Sequence, residues 1–216
     1  MKSEIAVESF LERLASPSAT PGGGSTAAIM GAMGAALVSM VCSLTLGKKG
    51  YVEAEDQMKQ VLKQAQGLRR RLTSMIEDDV QAYGRVMGAY ALPRGTDAER
   101  AIRSETIQEA MAEATLAPLA CARACGEVMD LSRIVAEKGS LNAAGEAGVA
   151  ALAAHAALRG AALNVYINTG SIRNRSFVDG KLAELDDILR GRDGFDVAVF
   201  ELVRGRLSNR PPGGSS

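Results

Sequence analysis

Apolar residues in this chain return every three or four positions, and no run alternates apolar and polar side chains long enough to make a strand. Ile5, Phe10, Leu11 and Leu14 predict a short amphipathic helix over Ser3–Ala15, closed by the Ser16-Pro17 break. From Tyr51 to Leu92 no proline interrupts, and a stripe through Leu68, Leu72, Met75, Ile76, Val80, Tyr83, Val86, Met87 and Tyr90 predicts the longest helix of the chain. Leu92-Pro-Arg-Gly-Thr96 reads as a turn, and Thr96 with Glu99 has capping-box spacing. The helix that follows, Asp97–Val135, contains Pro118, whose ring clashes with the Ala114 carbonyl in a regular helix, so a kink or break is expected there. Lys138-Gly-Ser-Leu-Asn142 ends it. Phe177–Leu207 predicts a charged amphipathic helix or helix pair broken at Gly191–Gly194, and Ser208–Ser216 reads as a disordered tail.

Two stretches lack this amphipathic pattern and are built from small residues. Ala19–Gly47 carries no charge; Pro21, Gly22, Gly23 and Gly24 predict a loop, Ser25 or Thr26 is placed to cap, and the remainder reads as a helix buried on all sides, with Gly31 and Gly34 admitting other backbones. A phosphate loop would need a lysine after Gly24, where this chain has Ser25-Thr26. The length suits a membrane span, but Ala, Gly, Ser and Thr partition weakly into hydrocarbon. Ala143–Thr169 is the second such stretch and predicts another central, tightly packed helix. The fold class is therefore all-α: a bundle of long helices around two small-residue helices, one domain over residues 1–207. Alanine and glycine bury little apolar area per residue, which predicts further burial by association as a homodimer.

Composition narrows the partners. The 216 residues hold 25 Lys+Arg and 25 Asp+Glu, so there is no basic field for nucleic acid, and a small molecule or another protein is the expected partner. Cys42, Cys121 and Cys125 are an odd count in helical apolar settings, which points to a reducing, cytoplasmic location; with no further Cys or His near, no metal site is expected.

Candidate chemistry comes from few positions. His155 lies within an alanine run and reads as a packed or solvated residue. Of Glu77, Asp78 and Asp79, only Asp79 falls on the apolar stripe; an acid there serves as a base, pairs with an arginine, or caps a neighbouring helix. Asn142 and Glu146, four residues apart, suit a helix start or a site. Asn164 and Asn168, on an otherwise apolar helix, either satisfy a backbone or read the hydrogen-bonding edge of a ligand. Lys48 and Lys49 follow the first small-residue helix and suit its C-terminal dipole or a carboxylate-bearing substrate.

Several runs together resemble the cyclodeaminase/cyclohydrolase family of folate enzymes. They are Phe10-Leu-Glu-Arg-Leu-Ala-Ser16, Thr20-Pro-Gly-Gly-Gly-Ser25, Met40-Val-Cys-Ser-Leu-Thr-Leu-Gly-Lys-Lys-Gly-Tyr51, Asp79-Val-Gln-Ala-Tyr83, Gly148-Val-Ala-Ala-Leu152 and Leu163-Asn-Val-Tyr-Ile-Asn168. The resemblance runs in order from Glu8 to Phe177 and implies an all-helical dimer acting on 5,10-methenyltetrahydrofolate or formiminotetrahydrofolate. With no length left for a formiminotransferase domain, it implies a stand-alone methenyltetrahydrofolate cyclohydrolase; the cyclodeaminase activity and a non-catalytic folate-binding role are the alternatives. A tetrahydrofolate derivative is then the substrate, and no cofactor or metal is expected to be bound. The resemblance implies Asp79 as base and Glu146 as a second catalytic carboxylate. It implies contact with the folate from Gly22, Gly23, Gly24, Ser25, Asn142, Asn164 and Asn168, and with its glutamate from Lys48 or Lys49. Where the family commonly reads Asn-x-x-Ser-Asp-Ala-Gly, this chain has Asn142-Ala-Ala-Gly-Glu-Ala-Gly148, with Gly145-Glu146 in place of Ser-Asp.

Overall fold

The computed structural model describes residues 7–209, and every regular element among them is helical. They are α1 (Val7–Ala15), α2 (Gly23–Thr45), α3 (Glu55–Tyr90), α4 (Asp97–Lys138), α5 (Ala144–Thr169), α6 (Arg175–Leu189) and α7 (Phe195–Ser208), with 3-10 turns at Lys49–Ala54 and Leu141–Ala143. The predicted first-helix residues Ser3 to Ala6 and most of the expected tail lie outside the described residues.

The helices α2 to α5 form an up-down-up-down bundle. Cross-links fix the directions. Asp79 of α3 meets Ser25 at the start of α2, Arg71 and Arg85 of α3 meet Glu127 and Glu113 of α4, and Asn168 of α5 meets Ala114 of α4. Glycine lets the small-residue helices approach: a Cβ on Gly34 would stand 3.1 Å from the Ala150 carbonyl oxygen of α5, and one on Gly31 would stand 2.8 Å from Cys125 Sγ of α4. Helices α6 and α7 pack outside this bundle; the Arg192 guanidinium before α7 is bidentate on Asp130 (2.8 and 2.9 Å) and donates to the Gly126 carbonyl.

The element ends follow local chemistry. Thr96 and Glu99 make the predicted capping box, Asn174 accepts from the Phe177 N–H at the start of α6, and Gly191 and Gly194, at φ 72° and 71°, turn the chain between α6 and α7.

Four expectations are corrected. Helix α4 runs unbroken through Pro118 and, at 42 residues against 36 for α3, is the longest. The Ala114 carbonyl that Pro118 cannot bond accepts instead from Asn168 Nδ2 at 2.9 Å. Gly23 and Gly24 are the first turn of α2, not a loop, and the N-cap is Gly22 with no side-chain bond of its own. Finally, α2 is not buried on all sides: Met33, Met40 and Leu44 are exposed, as are Val149, Leu163 and Ile167 on the adjoining side of α5. By length and composition Gly23–Thr45 and Leu141–Thr169 could each cross a membrane, yet here both are bundle helices with about half of the apolar stretch covered (44% and 50%).

Candidate active site

Helix α2 carries no acid in its own first turn, so its exposed N–H groups take an acceptor from elsewhere. Asp79 supplies it. Its Oδ2 accepts from the Ser25 N–H at 2.9 Å and from Ser25 Oγ at 2.8 Å, while the Ser25 side chain is fully buried. This is the capping alternative that the sequence left open, made by a residue 54 positions away. The carboxylate stands so close to the backbone that only glycine fits beside it: a Cβ on Gly24 would lie 2.1 Å from Asp79 Oδ1.

Oδ1 itself accepts no hydrogen bond from the described residues. Asp79 lines a cavity of about 10 Å³ with Gly24, Ala28, Met75, Ala117, Pro118, Cys121 and Ala161, drawn from all four bundle helices. That volume is the size of one water. A half-buried carboxylate with one oxygen clamped and the other without a partner among the described residues, lining a water-sized space, has the chemistry to accept a proton. Asn164 lies against the start of α2, its Nδ2 donating to the Gly160 carbonyl and standing 3.6 Å from where a Gly23 Cβ would be. Asn168 is committed to the Ala114 carbonyl, so it takes the backbone-satisfying role of its two expected ones.

The remaining candidates gather at the other end of the bundle. Lys48 donates through Nζ to Ser140 Oγ (3.1 Å), the Ser140 N–H donates to Thr45 Oγ1 (2.8 Å), and the Leu141 N–H donates to the Tyr51 hydroxyl (2.8 Å). Lys49 is exposed beside them, Asn142 lies in the following 3-10 turn, and Glu146 is half-buried in the first turn of α5 without an ion pair to any described residue. From Glu146 to Asn164 the helix rises about 27 Å at 1.5 Å per residue. One chain therefore brings Gly22, Gly23, Gly24, Ser25, Asp79, Asn164 and Asn168 to one end, and Lys48, Lys49, Asn142 and Glu146 to the other.

His155 joins neither group. Its Nδ1 is 3.3 Å from Asp196 Oδ1, tying α7 to α5. Sequence reasoning missed Cys121 as a lining residue, and it missed that Asn168 bonds the Ala114 carbonyl freed by Pro118. The second was findable, because a helix-interior proline always frees a carbonyl.

Comparison with known proteins bears on this geometry. The family profile described as formiminotransferase-cyclodeaminase matches residues 6–187. A methenyltetrahydrofolate cyclohydrolase of Methylorubrum extorquens is 55% identical over 202 residues, 94% of this chain and 97% of the relative. A formimidoyltransferase-cyclodeaminase of Rattus norvegicus is 29% identical over 87% of this chain, which spans only 35% of that relative. Among solved structures, formiminotetrahydrofolate cyclodeaminase from Thermotoga maritima superposes with a TM-score of 0.79 at 27% identity, covering 95% of this chain and 96% of that one.

Proposed function

Because the chain belongs to the formiminotransferase-cyclodeaminase family, matched over residues 6–187, we propose that it hydrolyses 5,10-methenyltetrahydrofolate to 10-formyltetrahydrofolate with Asp79 as general base. The carbon bridging N5 and N10 in that substrate is part of a cationic amidinium and is already electrophilic. Asp79 Oδ1 takes a proton from water as the oxygen adds to this carbon, and the carboxylate favours the cation beside it. The adduct then collapses: its hydroxyl gives up its proton to solvent and becomes the formyl carbonyl on N10, the bond to N5 breaks, and Asp79 hands the proton it took to N5, so that one proton is released overall. The observation that carries the reading is Asp79 lining a water-sized cavity, with Ser25 holding Oδ2 while Oδ1 accepts no hydrogen bond from the described residues. Substrate class rests on the relative that is 55% identical along nearly the whole of both chains.

No bound cofactor or metal enters this scheme; the tetrahydrofolate derivative is the substrate. The reaction is assigned to the cytoplasm, where Cys42, Cys121 and Cys125 stay free thiols. The protein acts as a homodimer. Supporting this, α2 and α5 are neighbours and both turn large apolar residues outward, Met33, Met40 and Leu44 on one and Val149, Leu163 and Ile167 on the other. A two-fold axis across this face lays the helices antiparallel and sets the Asp79 end of one protomer beside the Glu146 end of its partner. Glu146 then reaches a site that one chain does not offer it.

The test is loss of methenyltetrahydrofolate ultraviolet absorbance on adding purified protein. A rate above the buffer blank supports the cyclohydrolase. Ammonia release from formiminotetrahydrofolate at a higher kcat/KM would favour the cyclodeaminase reading, which the Thermotoga neighbour's name suggests. Folate binding with neither reaction would leave a binding protein. Light scattering during size exclusion checks the dimer, and a clean monomer at micromolar concentration sinks it.

A further inference from the structure

Helix α2 stops at Gly23, beside Asp79, whereas α3 continues for 11 residues to Tyr90 and α4 lies alongside it. Lower in the bundle the ridge of α3 that faces α2 carries Leu72, Ile76 and Asp79, with Leu72 against Gly31 and Ile76 and Asp79 at Ser25. The same ridge, continued at helical spacing past the end of α2, presents Tyr83, Met87 and Tyr90. These three are 39%, 47% and 44% exposed, as expected of a ridge that has lost its neighbour. On α4 the ridge that meets α2 at Val128, Cys125 and Cys121 continues upward through the small residues Ala114 and Ala110 to Arg103.

Arg103 closes the strip. Its guanidinium lies 5.5 Å from the Tyr90 ring centroid and donates to the Tyr90 carbonyl, and no carboxylate of the described residues pairs with it. Next to it, Arg173 donates from Nη2 to Ser104 Oγ at 2.8 Å and is likewise without an acid. Arg100, by contrast, is taken by Asp97. From Asp79 to Tyr90 the rise is about 16 Å.

Resting on the folate reading above, we infer that this strip is the subsite for the aminobenzoyl-glutamate tail of the substrate. The order of chemistry along it is carboxylate, aromatic and thioether, then unpaired guanidinium. The substrate presents a cationic reacting centre, then an aromatic ring, then the glutamate carboxylates. The two polarities match end to end, and the span suits an aminobenzoyl ring followed by glutamate. Tyr83 and Met87 give the ring an apolar wall, and Arg103 with Arg173 receives the carboxylates. Within one chain Lys48 and Lys49 lie at the far end of the bundle, and the glutamate contact expected of them is assigned here to Arg103 and Arg173 instead.

Equilibrium binding tests this on the full chain with two probes, 5-formyltetrahydrofolate and the matching tetrahydropteroate that lacks glutamate. Wild type is expected to bind the first about 10-fold more tightly or better, the scale of one charge-assisted contact. Arg103→Met, which keeps the stem over Tyr90, is expected to shrink that ratio towards one. Lys49→Met is expected to leave it intact. A ratio of one in wild type, or a ratio that survives Arg103→Met, overturns the subsite, and so does its collapse in Lys49→Met alone. Hydrolysis of the methenyl substrate without the ratio sinks only this inference; the ratio without hydrolysis sinks only the activity. Failure of both probes to bind, together with no hydrolysis of the methenyl substrate, sinks both.

Discussion

Replacing Asp79 by Asn separates the capping of α2, which this carboxylate performs, from the base role proposed for it. An asparagine keeps an oxygen for the Ser25 N–H and Oγ, which Asp79 Oδ2 now receives at 2.9 and 2.8 Å. What it loses is charge. Bonds to an ionised acceptor fall to neutral strength and the favourable end of the α2 dipole goes unanswered, a combined cost of about 1–2 kcal/mol. For a chain of this length that lowers Tm by about 2–8 °C. The amide nitrogen then stands where Oδ1 stood, and an amide cannot take a proton from water. Loss of a general base costs about 10²–10⁴-fold in kcat. The assay is the ultraviolet decay of methenyltetrahydrofolate, run beside a thermal melt. Asp79→Ala provides the contrast: it leaves the Ser25 donors without an acceptor and should melt lower than Asp79→Asn while losing no more rate. Turnover of Asp79→Asn within about threefold of wild type, which is under 1 kcal/mol of barrier, would refute the base and leave Asp79 a cap.

Gly24→Ala would place a Cβ 2.1 Å from Asp79 Oδ1, so the carboxylate must shift; a loss of order 100-fold in kcat is expected from such a displacement, read in the same assay. Asn168→Leu strips the Ala114 carbonyl of its donor at a cost of about 1–3 kcal/mol, and Pro118→Ala in that background should recover most of it by restoring the helix N–H, as a double-mutant cycle of melts would record. Backbone N–H bonds from Thr96 and Gly95 hold the Glu99 carboxyl below the usual glutamate range, so its contribution is present above the unfolded value and is lost as pH falls through the depressed folded value; hydrogen exchange at Thr96 should rise only in that acid window. Burial pushes the Cys42 thiol up to about 11, so a thiol reagent at neutral pH should label it only on unfolding, and rapid labelling of folded protein would contradict the packing of α2.

Stripe and stop signals located the helices because an amphipathic face and a cap are local properties, and Thr96, Glu99, Gly191 and Gly194 behave as their types require. Pro118 misled for the complementary reason. Its local effect is real, but the freed Ala114 carbonyl finds Asn168 across the bundle, and no local pattern encodes that partner. The same limit applies to the site. Asp79 stood out as an acid on an apolar stripe, and the glycine run stood out by composition, yet nothing local says that one caps the other. The split of the candidates between two ends follows from the antiparallel pairing of α2 with α5, a tertiary fact. Arg103 and Arg173 carried no signal at all, since an exposed arginine on a helix is ordinary until its lack of an acid is seen.

The short length of α2 ties these features together. A helix that ended one turn earlier would leave Asp79 facing water, and one extended past Gly23 would cover Tyr83 and the ridge above it. Ending where it does, α2 presents unsatisfied N–H groups at the level of the acid, and the acid satisfies them. One Asp79 oxygen is thus fixed by a demand of the fold, and that fixes where the other oxygen points. Gly24 is the residue that permits it, since any side chain there collides with the carboxylate. Substitutions that relieve the cap, such as an Asp or Ser in place of Gly22, should therefore recover melting temperature in Asp79→Asn without recovering turnover. A stabilised variant that also regained rate would mean that the lost activity had been a folding defect.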